Sequence, residues 1–596
     1  MAEEREAERV GQFASNDDDT PVESYKSEKS IPRSPAPEED NTTTTTTTAS
    51  HGSIRRVSED SIGHALENIA SGGVHDIAQI ATATSVGSAG ARPAEFEVEF
   101  EAGENPREWP LWYRIWVLFI ISFSAWSVVL YSTTYTSSIP GMMDTFHVTD
   151  ETVATLGVTT YLIGVGLGGL FWAPISELYG RKPVYIVTLF MFTLLILPTC
   201  LATSLTEVIV VRFFGALFGS AMVVNSAATV VDVSTEENRA LVFSLWALAP
   251  LNGPVTGPVI GGFVFEYLGW RWDNWLVLIL SGASTFAVMT TKETYGPNIL
   301  QAKAARLRKE TGDERWWTRY EVNLPLRQLI RNNLVRPFVL FFSEPILWFF
   351  NLWISIVYGI LYLCFVAYPI VFTDHRGWGP GLTGLSFIGI GIGTTIGILA
   401  EPLWRRIINH HPVDPVTGRR PPEAIGRVLV IGSLLTPIGQ LVFAWTSLPT
   451  SIHWAVPIAF GIPFGLGNSF SFIYGTAYIS SAYTIYAASA LAGNALMRSL
   501  LGGLLPLAGP ALFSTLTPRW AGTFLGLLEV ILIPIPFAFW RYGARIRARS
   551  PTIRALREDQ EKQDQEAARR IRRMERQKQK DAAADDGGDF PVDEET

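Results

Sequence analysis

About twelve apolar stretches, each near the roughly 20 residues that a helix needs to cross a bilayer, fill the middle of this chain. Hydrophobic residues make up 48% of the 596 residues although both ends are strongly polar. A lipid-exposed backbone must pair all its polar groups internally, which helices achieve. We therefore predict an all-α membrane protein with spans near 114–138, 153–173, 183–203, 208–231, 241–265, 274–291, 346–372, 381–400, 428–446, 454–475, 487–512 and 520–540.

The longest interior polar segment, 292–337, divides the predicted spans into six and six. It separates a bundle over 108–291 from a second bundle over 338–541, with tails at 1–107 and 542–596. The first tail is acidic, has few large apolar side chains and contains a threonine homopolymer at 42–48. Such a segment buries too little apolar surface to offset its chain entropy, so we predict a disordered tail.

An internal repeat supports the division into halves. We number the apolar stretches in chain order and call them windows. Three glycines in the second window recur 225 residues later in the eighth, and an arginine recurs at the same offset. The pairs are Gly164 and Gly389, Gly166 and Gly391, Gly168 and Gly393, and Arg181 and Arg406. Two halves from a duplicated unit are typical of transporters whose solute site lies between the halves.

The distribution of Lys and Arg predicts the orientation. With the N-terminus on the cytosolic side, the inner loops carry most of these residues and the outer loops hold only Arg271, Arg376 and Arg519. The positive-inside rule then places both tails in the cytosol. The first hundred residues have no apolar core typical of a signal peptide, so we expect the first span to act as the signal. The formal charge of −9 arises largely in the tails and gives no basis for nucleic-acid binding.

The fifth window, 241–265, contains prolines and glycines at intervals of four residues within its part 249–262: Pro250, Pro254 and Pro258, and Gly253, Gly257 and Gly261. Proline bends a helix, and small residues four apart allow close helix packing in membranes. With Gly262, the pattern G-x-x-x-G-P-x-x-G-G resembles the antiporter signature in the fifth helix of the major facilitator superfamily. The resemblance implies the superfamily's fold, two pseudo-symmetric six-helix bundles with twelve transmembrane helices, and exchange of a solute for protons. An ordinary Gly/Pro-rich packing helix is the alternative.

The eighth window also has a stripe of small residues. Gly389, Gly393 and Gly397 are four apart, like the glycines of the fifth window. We predict that the fifth and eighth spans pack closely across the pseudo-twofold axis.

The segment after the second window resembles the superfamily's loop signature G-x-x-x-D-R-x-G-R-R. Glu177 occupies the acidic position, Gly180 the turn, and Arg181 and Lys182 the basic pair, whereas Ala173 replaces the first glycine. The resemblance implies a latch that pairs charges between helix ends in the outward-open state and breaks towards the inward-open state. The alternative is that Arg181 and Lys182 only set the topology.

Arg212 lies in the fourth window, where an arginine is costly and suggests a function. It resembles the fourth-helix arginine that the superfamily uses in proton coupling, although Gly215 and Ala216 depart from the usual Gln-Gly. The alternative is an arginine that extends to the membrane interface. The proton acceptor stays open: the acids considered are Glu177, Asp232, Glu344 and Glu401 at span ends and Glu529 inside the twelfth window.

Aromatic and polar residues in the windows suggest a central cavity. The candidates for its lining are Asn225, Tyr358, Tyr362, Phe365, Tyr368, Tyr474, Asn494 and Arg498. Aromatic walls with a few polar groups suit amphipathic organic solutes. For any single aromatic residue, helix packing or lipid contact is the alternative.

Several short segments resemble the fungal branch of the twelve-span drug:proton antiporters, over about 104–541. They are Trp-Arg-Trp at 270–272, Lys-Glu-Thr-Tyr at 292–295, Glu-Pro-Ile at 344–346, Tyr-Gly-Ile-Leu-Tyr at 358–362 and Ala-Ala-Ser-Ala-Leu at 487–491. The resemblance implies proton-coupled efflux of drugs, azoles, toxins or polyamines. It also implies a plasma-membrane location, with the vacuolar membrane as the alternative, and the proton gradient as energy source without a cofactor.

Three other functions compete with export. The first is a nutrient importer of the same fold. The antiporter signature in the fifth window argues against it, and so does the lack of a sugar-porter P-E-S-P-R motif after the sixth window. A non-transporting nutrient sensor would suit the long tails. An enzyme is disfavoured because neither a nucleotide-binding loop nor a metal-ligand cluster is evident. We expect a monomer, and the sequence Arg-Arg-Val-Ser-Glu at 55–59 resembles a kinase site of a kind that is frequent by chance.

Overall fold

The computed structural model describes residues 96–235, 238–318, 320, 326–413, 420–483, 486–550 and 553–554, and for residues 240 and 326–333 the backbone alone. These residues belong to the compact unit Ile54–Thr596. The predicted disorder before residue 96, the kinase-like sequence at 55–59 and nearly all of the C-terminal tail beyond 550 lie outside the described residues.

The first half consists of six long helices connected by short turns. They are α1 (Leu111–Phe146), α2 (Glu151–Tyr179), α3 (Arg181–Leu201), α4 (Leu205–Val233), α5 (Arg239–Leu268) and α6 (Trp270–Met289). Asp150 and Ser204 begin α2 and α4 as side-chain caps, accepting from the backbone N–H groups of Thr152 and Glu207. Gly180 has a φ of 93°, in a region that favours glycine, and forms the turn between α2 and α3.

The linker and the second half contain more helices than the first half, and several of them are short. The linker holds α7 (Gly296–Thr311) and α8 (Leu326–Ser343). The second half comprises α9 (Pro345–Pro369), continued by a π-helical turn (Ile370–Asp374), then α10 (Pro380–Leu385), α11 (Ile388–Leu399), α12 (Glu401–Asn409), α13 (Gly426–Ser447), α14 (Ala455–Tyr483), α15 (Ala487–Leu507), α16 (Gly509–Thr515), α17 (Pro518–Leu532) and α18 (Pro534–Arg549).

In the described part of the chain, ten helical segments are long and apolar enough to cross a membrane. The predicted fifth and sixth spans, α5 and α6, are absent from these ten. The three prolines and many glycines of α5 lower its apolar content, and α6 begins with Arg271, Asp273 and Asn274. Both helices nevertheless pack lengthwise against α1. The count of twelve spans stays a prediction at these two helices.

Successive spans run in opposite directions, with α10 and α11 forming one span and α17 and α18 another, so the bundle has two ends. We call the end where α1 begins and α18 finishes the terminal end, and the opposite one the far end. Within the first half α2 packs on α4 and α5 on α1, and within the second half α11 packs on α14 and α9 on α15. The two halves meet through α2 with α15 and through α5 with α10 and α11.

The outer two of the three repeated glycines pack on equivalent helices in the two halves. Gly164 and Gly168 lie against α4, and their counterparts Gly389 and Gly393 lie against α14. The middle glycines differ: Gly166 contacts Ser499 of α15, and its counterpart, Gly391, contacts Val255 of α5. In each half, therefore, the outer glycines pack within a bundle and the middle glycine packs across the interface between bundles.

The linker has a small core of its own. Val98 packs against Leu300 and Ala304 of α7, and its backbone N–H donates to the carbonyl of Trp317 at 2.9 Å. Lys303 donates to Glu104 at 2.7 Å, and this hydrogen bond lowers the pKa of Glu104 below its ordinary value. The last residues of the predicted tail, from 96 onwards, are thus held against the predicted loop by their alternating apolar side chains.

Candidate functional site: a central cavity between the two bundles

The glycine ladder of α5 packs against α1. A Cβ on Gly253, Gly257 or Gly261 would meet Val129, Thr133 or Thr134, and each contact includes α1 backbone atoms. The helix continues through Pro250, Pro254 and Pro258 without a break. The predicted close approach of another helix to this stripe is present, and the partner is α1 of the same half.

The neighbouring positions of α5 pack on the eighth span. A Cβ on Gly262 would meet the carbonyl oxygen of Pro380, and a Cβ on Gly384 would meet that of Pro258. Glu266 of α5 also accepts a hydrogen bond from the backbone N–H of Gly381 at 2.8 Å. The prediction that the fifth and eighth spans pack closely is confirmed.

The prediction of which residues make this contact was in part wrong. Gly389, Gly393 and Gly397 face α14 instead of α5. The eighth-span residues that reach α5 are Gly381, Gly384 and Gly391, because α10 and α11 are separate helices with different faces towards the interface.

Two further contacts join the halves. The hydroxyl of Thr159 on α2 donates to the carbonyl of Gly503 on α15 at 2.7 Å. The hydroxyls of Ser132 on α1 and Tyr362 on α9 lie 3.1 Å apart. Together with the contact between α5 and α10, these interactions close the interface in its far half.

A cavity lies between the halves on the terminal side of these contacts. It encloses about 1250 Å³, part of it open to solvent, and its walls come from α2, α4, α5, α14 and α15. Large apolar side chains dominate: Phe243, Trp246 and Leu251 on one side and Phe472 and Leu491 on the other. A smaller space of about 620 Å³ continues towards Pro254 and Ile390 and shares Arg498 with the first.

Arg498 of α15 lies where the two spaces meet. Its guanidinium carbon is 4.4 Å from the ring centroid of Phe472 and 4.9 Å from that of Tyr358. Its Nε is buried and has no hydrogen-bond acceptor among the described residues. Aromatic faces stabilise a cation only in part, and no carboxylate among the described residues pairs with this arginine.

Of the predicted cavity residues, Tyr358, Asn494 and Arg498 lie in its walls. The others are buried elsewhere. Asn225 donates to the carbonyl of Trp172 at 3.2 Å, Tyr362 bonds Ser132, and Tyr474 packs edge-on against Phe470. Phe365 and Tyr368 pack against Phe387.

Arg212 is buried in the first half, away from the cavity. Its Nε donates to the carbonyl of Gly157 at 3.0 Å and its Nη2 to that of Tyr131 at 2.9 Å. The guanidinium lies over the rings of Tyr131 and Tyr135, 4.3 Å from each centroid. Because only 1% of the residue is exposed, the alternative in which it extends to the membrane interface does not describe this structure.

The predicted latch residues lie at the terminal end of the first half. The guanidinium of Arg181 pairs with Asp232 at the end of α4, with Nε and Oδ2 3.6 Å apart. Glu293, after α6, accepts from the backbone N–H groups of Arg181 and Lys182 at 2.9 and 3.0 Å. In this conformation the interactions described here keep the basic pair within the first half and its linker.

Sequence reasoning missed two carboxylates. Glu293 entered the sequence analysis only within the segment 292–295 that resembles the drug:proton antiporters. A carboxylate just after a helix end is, however, a candidate for capping the start of a neighbouring helix. Asp273 of α6 is 2% exposed and accepts from Ser138. It lies in the first turn of α6, just before the predicted sixth span, and no local pattern marks it as buried. Glu529, which sequence analysis did consider, is buried, and neither of its oxygens has a hydrogen-bond partner among the described residues.

Comparison with known proteins agrees with this architecture. The sequence profile of the Major Facilitator Superfamily matches residues 115–504. An "Ascochitine biosynthesis cluster MFS transporter" of Didymella fabae is 37% identical over 453 residues, which are 75% of this chain and 87% of the relative. The "Efflux pump atB" of Aspergillus terreus is 39% identical over 393 residues, covering 65% and 82%. The chain therefore belongs to the major facilitator superfamily and is a multi-pass membrane protein.

Solved structures share the fold. The xylose transporter XylE of E. coli, in a partially occluded inward-open conformation, aligns with a TM-score of 0.53 at 14% identity over 72% of this chain and 98% of that one. A peptide transporter POT aligns with a TM-score of 0.53 at 12% identity, over 76% and 100%.

Proposed function

We propose that this protein is a proton-coupled exporter of amphipathic small molecules that works by alternating access. The observation that carries the proposal is the cavity between the bundles, which is partly open to solvent and lies on the terminal side of the contacts that close the far end. The antiporter pattern of α5 supports exchange for protons, and relatives named as efflux pumps support export. The proton gradient would supply the energy, and no cofactor is required.

The terminal end is proposed to face the cytosol of a plasma-membrane protein. The excess of Lys and Arg in the loops at this end supports the orientation. On that basis the structure is an inward-open state, ready to receive cargo from the cytosol. Both walls of the cavity come from one chain, which supports a monomer as the working unit.

Cargo and protons would act by shifting populations. Each shifts the equilibrium between inward-open and outward-open states only by its differential affinity for them. Arg212 is proposed to couple protonation to this equilibrium because it is a buried charge bonded to carbonyls of both α1 and α2. Asp273 and Glu529 are the proposed candidates for the proton acceptor, since both are buried carboxyl groups inside the bundles.

The proposal is tested in a yeast strain that lacks its own exporters. Cells that express the full chain are screened for growth against azoles, polyamines and fungal toxins, with and without a proton uncoupler. We expect resistance to at least one compound, abolished by the uncoupler. Inside-out vesicles with an acidic lumen then measure uptake directly, and vesicles that bind cargo but never accumulate it would favour the nutrient sensor over a transporter.

A further inference from the structure

Among the described residues, the lining of the cavity carries charge of one sign only. Arg498 is the one charged side chain among the described residues that line the two connected spaces. None of the acidic residues in the described part of the chain contributes to these walls. The positive charge of the cavity is therefore not balanced by its lining.

The surroundings of Arg498 leave its charge without a carboxylate. Tyr358 and Phe472 lie over its guanidinium, and Asn494, one turn away on the same helix, uses its amide to donate to Asn351 at 2.8 Å. The Nε of Arg498 is buried without an acceptor. An arginine presents a planar set of N–H donors that matches a carboxylate in two parallel hydrogen bonds.

The opposite wall adds a second donor. The indole Nε1 of Trp246 on α5 also has no hydrogen-bond partner among the described residues. A buried donor without an acceptor is unfavourable, so both bundles offer N–H groups to a ligand that carries oxygen acceptors. Aromatic side chains around them, Phe243 and Phe472, would hold its apolar part.

We propose that the cavity selects amphipathic organic anions, chiefly aromatic or aliphatic carboxylates, and that Arg498 binds the carboxylate. This inference rests on the proposed export function and narrows its cargo. It disfavours polyamines, whose multiple ammonium groups would meet an unbalanced guanidinium and find no acid in the described lining. Neutral amphipathic molecules would lose the charge pairing with Arg498 and keep a neutral hydrogen bond and the apolar contacts.

The test compares probes that share one ring system. Binding of 1-naphthylacetic acid, its methyl ester and 1-naphthylmethylamine to the purified full chain in detergent is measured by calorimetry at neutral pH. For the unchanged protein we expect the acid to bind at least tenfold more tightly than the ester, and the amine weakest. Equal affinities for acid and ester, or no binding of the acid, would overturn the inference.

The variants place the effect on Arg498. Arg498→Gln is expected to weaken the acid about tenfold or more and leave the ester within twofold, whereas Arg498→Lys retains part of the preference. Arg519→Gln is the matched control, because Arg519 lies on the same half and bonds the carbonyl of Leu448 outside the cavity. Thermal unfolding of each variant verifies folding. If Arg498→Gln misfolds, Arg498→Lys and Trp246→Phe carry the test, and an unchanged acid-to-ester ratio in both would count against the proposal.

Binding and flux separate this inference from the export function. Accumulation of the ester and the acid at equal rates, with no effect of Arg498→Gln, would leave export standing and remove the selectivity for anions. Binding of the acid that depends on Arg498 without any uptake into vesicles would support the site and contradict export.

Discussion

The carboxylate of Glu266 accepts a hydrogen bond from the backbone N–H of Gly381 at 2.8 Å, and so joins the two bundles at the far end. The contact lies one turn beyond the place where Gly262 meets Pro380. Because the two residues belong to different bundles, the bond exists only in conformations that keep the far end closed. It is a switchable element of the closed state.

Glu266→Ala is expected to favour opening at the far end. A hydrogen bond to a charged group contributes about 1.5 kcal/mol or more, so its loss changes the ratio of the two states roughly tenfold. The measurement is the rate at which a cysteine placed at Thr394, in the central space, reacts with a membrane-impermeant thiol reagent added from outside. The two native cysteines, Cys200 and Cys364, are buried.

The control for this experiment is Glu207→Ala. Glu207 also lies near the far end, but among the described residues its carboxylate accepts hydrogen bonds from Thr203 alone, at the start of its own helix. Equal labelling rates in the two variants would show that the bond between Glu266 and Gly381 does not hold the far end closed.

Gly262→Ala is expected to lower export about tenfold. The added methyl group would overlap the carbonyl oxygen of Pro380, and overpacking of a rigid contact costs about 1–3 kcal/mol. The strain arises only when α5 and α10 are together, so the fold survives while the inward-open state becomes rarer. Initial transport rates in vesicles measure the effect.

Gly282→Ala is the matched glycine control on α6. The nearest atom to an added Cβ there is the Thr193 methyl carbon at 3.9 Å, an ordinary van der Waals distance. Export by Gly282→Ala is expected to stay within about twofold of the unchanged protein. A loss as large as that of Gly262→Ala would mean that any methyl added to these helices impairs transport.

Arg212→Lys tests proton coupling apart from cargo movement. Lysine keeps the charge but does not reproduce the planar donors that reach the carbonyls of Gly157 and Tyr131. We expect exchange of labelled for unlabelled cargo without a gradient to continue, and accumulation driven by an imposed pH gradient to fall at least tenfold. Arg271→Lys, which changes an arginine bonded to the carbonyl of Ala202 at the far end, is the control. Full gradient-driven accumulation by Arg212→Lys would exclude the coupling role.

Glu293→Ala is expected to destabilise the first half by about 2 kcal/mol. Its carboxylate accepts from the backbone N–H groups of Arg181, Lys182, Thr294 and Tyr295, four donors that would lose a charged acceptor. Thermal unfolding in detergent measures the change, and Glu293→Gln should recover part of it. Glu310→Ala, which removes an exposed partner of Arg306, should leave the unfolding midpoint unchanged. Equal midpoints for Glu293→Ala and Glu310→Ala would contradict the capping role.

The sequence was most informative where a single helix decides the outcome. Apolar length predicted ten spans that the described helices confirm, and glycines spaced by four predicted that another helix packs closely on each stripe, since both properties follow from helix geometry alone. The partner of each stripe, α1 for the fifth span and α14 for the eighth, did not follow from the spacing. The sequence does not show how each helix is rotated about its own axis, and so which of its faces lines the cavity. Tyr474 lies two residues from both Phe472 and Thr476, which line the cavity, so it points to the opposite face and is buried.

Pairing between distant segments was also beyond the sequence. Asp273 and Ser138 are 135 positions apart, and the side chains of Arg547 and Glu423, which form two hydrogen bonds, are 124 apart. No local pattern distinguishes such pairs from solvent-exposed charges. The unbalanced charge of Arg498 likewise became evident only when the whole lining was known.

The middle glycines of the repeat, Gly166 and Gly391, place almost bare backbone at the two surfaces where one bundle contacts the other. Surfaces without protruding side chains interdigitate little. One bundle can therefore move relative to the other without many side chains changing rotamer at the same time. The activation barrier of the conformational step should therefore be low, and bulky residues at these two positions should slow turnover more than they reduce affinity.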